Sequence, residues 1–208
     1  MTHVADLWRR PGPKILASKS ATRLAMLSAA ALPVTPIAAD VDERAIEAEF
    51  LAAGGAVGAL AGRLALEKAL AVSRSSRDAL VIAADQTLSV KNELVHKAAT
   101  RAGAALKLRK LAGRRHRLTS AIAAAENGRV LWQFADHAEL TVRTLDAVAI
   151  ERYLDAAGDA ALQSVGGYQI EGVGVHLFSR VVGAHATILG LPLLPLVAWL
   201  RDQDMIGP

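Results

Sequence analysis

The 208-residue chain contains no cysteine, which excludes a disulfide framework and any thiolate-held zinc or iron–sulfur centre. Nothing calls for an oxidising compartment, and a cytoplasmic location is expected. Long apolar runs are lacking too. The longest, Leu191 to Leu200, covers about ten residues, is interrupted by Pro192 and Pro195, and falls short of the ~20 that a membrane helix needs. Met1 to Arg10 leads into no apolar stretch of signal-peptide length, so neither membrane insertion nor secretion is expected. Charge of one sign is also scarce: 24 Lys+Arg against 20 Asp+Glu leave a formal +4. The surplus gathers at Lys107, Arg109, Lys110, Arg114, Arg115 and Arg117 with no aromatics between them, which permits nucleic-acid binding without demanding it. At 52% hydrophobic and 21% charged residues, the composition is that of a folded globule rather than a disordered chain.

Familiar catalytic signatures are missing as well. There is no G-x-x-x-x-G-K-[ST] loop, no H-E-x-x-H and no G-x-S-x-G, and Gly166 to Gly174 does not form G-x-G-x-x-G. The six histidines, His3, His96, His116, His137, His176 and His185, lack ligand spacing and read as surface or hydrogen-bonded structural residues.

What is present is an alternation of strand and helix signals. Ile15–Ala17 reads as a short buried strand, followed by a polar turn and a helix opening near Leu24. Pro33–Ala38 reads as a second strand, and Asp40–Glu43 as an acidic helix start. A long helix is expected over Val57–Ser75, with Lys68 in the middle of its apolar stripe. Leu80–Ala84 has the continuous apolar character of a central strand and is expected to stop at Asp85. A turn at Lys91–Glu93, a helix over Thr100–Leu111 and a hairpin at Asn127-Gly128 between strands Arg117–Ala125 and Val130–Val142 follow. Leu145–Ala156 and Leu193–Arg201 read as helices, while Tyr168–Val175 and Leu177–Val182 read as strands or turns. This order favours an α/β or α+β sheet curled around a cleft, without a linker that divides the chain.

Several residues can carry chemistry. Ser18-Lys19-Ser20 with Arg23 places two hydroxyls and a guanidinium at a helix N-terminus, which suits an anion or, more plainly, a serine cap. Lys68 on an apolar face needs a phosphate or carboxylate partner, or a place at the border of that face. Asp85, directly after an apolar strand, stands where open α/β sheets put their ligands; it can bind a hard cation, activate water or cap a turn. Lys97 is a further cation in the loop beyond. Ser18, Ser20, Arg23, Lys68 and Lys97 suit phosphates, and Glu43, Asp85 and Asp42 suit magnesium, an ion that takes oxygen ligands together with substrate phosphates.

The same residues resemble the Maf family of nucleoside triphosphate pyrophosphatases. The resemblance rests on Leu16-Ala17-Ser18-Lys19-Ser20-Ala21-Thr22-Arg23, Asp40-Val41-Asp42-Glu43, Arg63-Leu64-Ala65-Leu66-Glu67-Lys68-Ala69, Ala84-Asp85-Gln86, Lys97, Gly167-Tyr168-Gln169-Ile170-Glu171-Gly172-Val173-Gly174 and Gly190-Leu191-Pro192-Leu193 in the family's order. It implies one Maf-like domain over residues 13–203, with 1–12 as an N-terminal extension and 204–208 as a tail. The implied fold is α/β: an elongated, curved mixed sheet with helices on both sides and two lobes around a central cleft, similar to the inosine triphosphatases and often dimeric. The implied reaction is magnesium-dependent cleavage of a nucleoside triphosphate to the monophosphate and pyrophosphate. Asp85 is then the proton acceptor, with Lys68 and Lys97 beside it in catalysis. Ser18, Ser20, Arg23, Lys68 and Lys97 grip phosphates, and Glu43 and Asp85 hold the metal.

Three departures from the family pattern, Ala21, Leu24 and His96-Lys97-Ala98, imply a weaker phosphate grip. Thr22 and Glu171 are the base-specificity positions, and they point opposite ways. Glu171 matches the branch that prefers 7-methyl-GTP rather than dTTP or UTP, since an acceptor-only carboxylate can take the donors of a guanine edge. Thr22 replaces the aromatic with which that branch would stack on a cationic base. The rival readings are a non-catalytic nucleotide or nucleic-acid binder using Lys107–Arg117, and a phosphatase that releases orthophosphate.

Overall fold

The computed structural model describes residues 6–207, so His3 and the first residues of the expected extension lie outside it, as does the last residue of the tail. In chain order the elements are β1 (Lys14–Leu16), α1 (Ala21–Ala29), β2 (Thr35–Pro36), α2 (Glu43–Ala52), α3 (Leu60–Ser75), β3 (Leu80–Val90), β4 (Glu93–Val95) and α4 (Arg101–Leu111). There follow β5 (Arg115–Glu126), β6 (Arg129–Val142), α5 (Ala147–Ala157), α6 (Ala160–Gln163), β7 (Phe178–Val182), α7 (His185–Ile188) and α8 (Leu193–Asp202). Seven strands form one mixed sheet in the order β2-β1-β3-β5-β6-β7, with β4 pairing on β3. The β1 ladders to β2 and β3 are parallel, while β3–β4 and β6–β7 are antiparallel.

The chain packs as two compact units, both discontinuous in sequence. One comprises the chain up to Asp85, Ser120–Asp136 and the chain from His185 on; the other comprises Gln86–Thr119 and His137–Ala184. β3, β5 and β6 each contribute residues to both units.

In the first unit, strand alternation divides the core between two faces of the sheet. Ile15, Ala17, Val81, Ala83, Ala121 and Ala123 pack with Ala61, Ala65, Ala69 and Val72 of α3. Leu16, Leu80, Ile82, Ala84, Ile122 and Ala124 pack with Leu27 of α1 and with Leu196 and Leu200 of α8. Helices therefore cover both faces, which is why Leu80–Ala84 is buried without a break. The abundance of alanine on the α3 side brings that helix close to the strands, and this sets the depth at which Lys68 sits. The ends of the chain pair with each other here: Trp8 bridges Ile206, and the Arg9 and Arg10 amides donate to the Met205 carbonyl.

Helix starts follow from local chemistry. The side chains of Ser20, Asp42, Thr100 and Asp146 each accept from backbone amides at the head of α1, α2, α4 and α5. Asn127 and Gly128, both at positive φ, turn β5 into β6, and Lys91 and Asn92 do the same between β3 and β4.

Two expectations need correction. The strand expected at Pro33–Ala38 is only Thr35–Pro36. β3 does not stop at Asp85 but continues to Val90, with Leu88 and Val90 alternating inward after the doubly covered stretch, because ladder pairing and a buried partner for the carboxylate outweigh its aversion to a strand. Tyr168–Val175, read as strand or turn, takes the turn alternative and enters a 3-10 segment at Val173.

The stretch that leads into it, 165–168, is held by side chains. Lys107 Nζ donates to the Val165 carbonyl at 2.9 Å, the Tyr153 hydroxyl to the Gly167 carbonyl at 2.9 Å and the Ser164 hydroxyl to the Tyr168 carbonyl at 2.6 Å. Gly167 has φ +78°, a left-handed conformation that glycine adopts without strain. Tyr168 is buried, and its hydroxyl lies 2.5 Å from His116 Nε2.

Burial lowers the His116 pKa to about 4, so the imidazole is neutral in the fold. The unfolded chain, with an ordinary histidine, binds one more proton between pH 6.5 and 4, and stability falls as pH drops through that window by about 3 kcal/mol. Urea unfolding at pH 7 and pH 4.5 should therefore show a smaller acid loss in His116→Gln than in the wild type.

Candidate active site

Three segments of the first unit converge on one ammonium. Lys68 lies on the inward stripe of α3, 9% exposed. Its Nζ is 2.5 Å from Asp85 Oδ1 on β3 and 2.7 Å from Glu43 Oε1 at the start of α2. The partner that an apolar stripe demanded for Lys68 is thus a pair of carboxylates. Glu43 owes its place to Asp42, whose Oδ1 accepts from the Arg44 and Ala45 amides at 3.1 and 3.0 Å. Asp42 Oδ1 thus caps α2.

Arg23 connects the serine turn to the same strand. Its Nη1 donates to the Ala84 carbonyl at 2.7 Å and to Ser18 Oγ at 3.1 Å, and its Nε donates to the Gly190 carbonyl at 2.8 Å. Ser18 Oγ also accepts from the Ser20 amide at 3.2 Å, and Ser20 Oγ accepts from the Arg23 amide at 3.3 Å. The turn is therefore both a serine cap and a guanidinium anchor. Arg23 grips the carbonyl directly before Asp85, so it fixes the carboxylate's backbone.

Gly190 makes this grip feasible. It sits at φ +93°, where a Cβ would stand 3.2 Å from Arg23 Nη2. Gly190→Ala should lower stability by about 1–2 kcal/mol in urea unfolding, mostly through backbone strain. The anchoring role of Arg23 was not legible from its position beside the serines; the glycine in Gly190-Leu191-Pro192-Leu193 was its only trace.

The electrostatics are balanced by design of placement. Burial raises the Asp85 pKa, while Lys68, through charge and hydrogen bond, and Arg23 pull it back down. Burial lowers the Arg23 pKa, and the charges of Asp85 and Glu43 oppose that shift. Two cations and two carboxylates leave little net charge, so an arriving polyanion and a divalent cation would each find opposite charges already placed. Glu43 and Asp85 offer the hard oxygen donors that magnesium takes when substrate phosphates complete its shell. Among the described residues no three His, Asp or Glu gather to hold a metal by themselves.

Thr22 is half-buried in the first turn of α1. Lys97 and Glu171 belong to the other unit, both exposed, the first after β4 and the second in the turn before a short 3-10 segment, Val173–Leu177. The basic stretch is not a free patch. Lys107 is buried, Lys110 pairs with Glu93 at 3.1 Å, and Arg115 and Arg117 both pair with Glu139, at 3.0 and 3.2 Å. No helix among the described residues is long and apolar enough to cross a membrane.

The chain is similar to known proteins. A nucleoside triphosphate pyrophosphatase of Rhodopseudomonas palustris (strain HaA2) is 51% identical over 202 residues, 97% of this chain and 98% of that protein. A 7-methyl-GTP pyrophosphatase of Brucella abortus is 44% identical over 192 residues, 92% and 96% of the two chains. Among solved structures, the Ham1 protein of Staphylococcus aureus shares the fold at TM-score 0.54 and 15% identity, over 92% of this chain and all of its own. Residues 13–203 match the family described as Maf-like protein, and with relatives this similar over nearly their whole length the chain belongs to that family.

Proposed function

We propose that the protein is a nucleoside triphosphate pyrophosphatase that yields the monophosphate and pyrophosphate, with residues 13–203 acting as its single domain. The observation that carries this reading is the ion-paired cluster of Asp85, Lys68 and Glu43, buried at Asp85 and Lys68 and backed by Arg23. Water attacks the α-phosphorus, its proton passes to an Asp85 oxygen, and the bond from the α-phosphorus to the bridging oxygen breaks to release pyrophosphate. Desolvation makes Asp85 a stronger base than an exposed aspartate, and Lys68 holds it ionised while it waits.

Lys68, Arg23 and the hydroxyls of Ser18 and Ser20 meet the substrate's negative charge, and Lys97 is proposed as a further phosphate-binding ammonium. Their effect on the barrier is electrostatic. Glu43 and Asp85 would hold a divalent cation, proposed as magnesium, which supplies neutralisation of the phosphate charge when bound. Thr22 and Glu171 are the proposed base-reading positions. The relatives named nucleoside triphosphate pyrophosphatase and 7-methyl-GTP pyrophosphatase support the reaction class.

A panel of ordinary and modified nucleoside triphosphates, given with magnesium and scored for pyrophosphate and orthophosphate separately, tests the reading. Pyrophosphate is expected from at least one of them. Orthophosphate alone points to a phosphatase, and neither product points to a binder.

A further inference from the structure

The bond between His116 and Tyr168 has no part in the chemistry proposed above. His116, on β5, is 2% exposed, and its Nε2 lies 2.5 Å from the Tyr168 hydroxyl. Among the described residues its buried Nδ1 has no hydrogen-bond partner. An apolar side chain would fill the same space and leave no nitrogen unpartnered, so packing alone does not account for an imidazole here. Burial lowers the His116 pKa and raises that of Tyr168, and the bond joins two neutral groups.

What the pair holds is a loop. The Tyr168 amide donates to Ser164 Oγ at 2.9 Å, and that hydroxyl donates to the Tyr168 carbonyl at 2.6 Å. From there residues 169–174 close on themselves. The Gly172 amide donates to the Gln169 carbonyl at 3.2 Å, and Gly174 passes so near Gln169 that a Cβ would collide with its backbone. Glu171 stands exposed in this loop. The chain returns through Val173–Leu177 to Phe178, whose ring meets the Tyr168 ring edge-on with centroids 4.7 Å apart. The His116 ring lies 5.7 Å from that of Tyr168 and 6.2 Å from that of Phe178. It therefore packs against both ends of the loop that carries Glu171, and all of these residues belong to the second unit.

We propose that His116 is a positioning residue for base selection: by fixing the Tyr168 hydroxyl it fixes the loop, and with it the place from which the Glu171 carboxylate meets the base. This rests on the reading of the protein as a nucleoside triphosphate pyrophosphatase with Glu171 as a base-reading position. A carboxylate distinguishes bases by hydrogen bonds that weaken steeply with distance and angle, so a loop free to shift loses discrimination before it loses the reaction. Ring packing tolerates sliding; the directional bond to the hydroxyl does not.

The test reads kcat/KM in the full chain, with magnesium, for the guanine and the pyrimidine triphosphate of the panel that release most pyrophosphate. Glu171→Ala should shift the ratio of the two by roughly 30-fold, as loss of a hydrogen bond to a charged group does. Tyr168→Phe removes one oxygen and keeps the ring contacts, and His116→Leu removes the same bond from the other side. Each should shift the ratio about tenfold in the direction of Glu171→Ala, through KM, with kcat little changed. His116→Gln, whose amide still reaches the hydroxyl, should keep the wild-type ratio. Added to Glu171→Ala, Tyr168→Phe should shift it no further, because the group it acts through is gone.

An unchanged ratio in Tyr168→Phe, or equal losses with both triphosphates, would make the pair purely structural and overturn the inference while leaving the proposed function intact. An undiminished shift in the Glu171→Ala background would do the same. A ratio that Glu171→Ala itself leaves unchanged overturns the inference and the base-reading role together, but not the reaction. A wild-type protein that releases pyrophosphate from no triphosphate overturns the proposed function and the inference with it. If His116→Leu does not fold, Tyr168→Phe decides alone.

Discussion

Asp85→Asn should reduce pyrophosphate release by ~10² or more, the lower end of what a positioned general base contributes. The substitution is nearly isosteric and leaves an oxygen to accept from Lys68, so the loss reports on proton acceptance rather than on collapse of the pocket. Arg23 would still hold the Ala84 carbonyl and Gly190, because its bonds go to backbone. A variant with near wild-type turnover would remove Asp85 from the proton-transfer step. Steady-state rates with a coupled pyrophosphate assay, together with melting curves of both proteins, measure it.

The second large effect belongs to Lys68→Met. Methionine fits the apolar stripe of α3, but it leaves Asp85 and Glu43 facing each other with no ammonium between them. Removing one member of a buried pair costs about 3–5 kcal/mol, because the charge left behind is unpaired. Asp85 responds by binding a proton, since burial already raises its pKa and Lys68 is the main influence opposing that. Activity at neutral pH should then fall along with stability. Adding Asp85→Asn to Lys68→Met should restore much of the lost stability and none of the activity. Urea unfolding of the two single variants and the double one reads the coupling; strictly additive losses would mean that the pair does not act as a pair.

These two residues also show how far the amino-acid sequence reaches. Lys68 announced itself, because an ammonium in the middle of an apolar helical stripe must be answered by something, and Asp85 announced itself by ending an apolar run. Their meeting is a matter of how α3 lies across β1 and β3, which no local pattern contains. Helix starts were legible for a different reason: Ser20, Asp42, Thr100 and Asp146 cap within a few residues of themselves, so local chemistry decides them. Asn127-Gly128 fixed its hairpin likewise.

The failures fall where distant partners decide. β3 runs past Asp85 because its neighbours offer ladder bonds and a counter-charge. The 165–168 stretch is held by Lys107, Tyr153 and Ser164, from α4, α5 and the chain after α6, partners that no local pattern names. Lys107 looked like one of a surface cluster, although the helical face that it occupies, with Ala104 and Leu108, is turned inward. Arg23, read as a phosphate ligand, also bonds the Ala84 and Gly190 carbonyls, contacts that the sequence around it does not name.

The most direct test of the account is hydrolysis of the preferred triphosphate by the wild-type protein with magnesium in ¹⁸O-labelled water, with both products weighed by mass spectrometry. Attack on the α-phosphorus predicts unlabelled pyrophosphate and a nucleoside monophosphate carrying one heavy oxygen. Label in the pyrophosphate, or orthophosphate and a nucleoside diphosphate as the products, would contradict it.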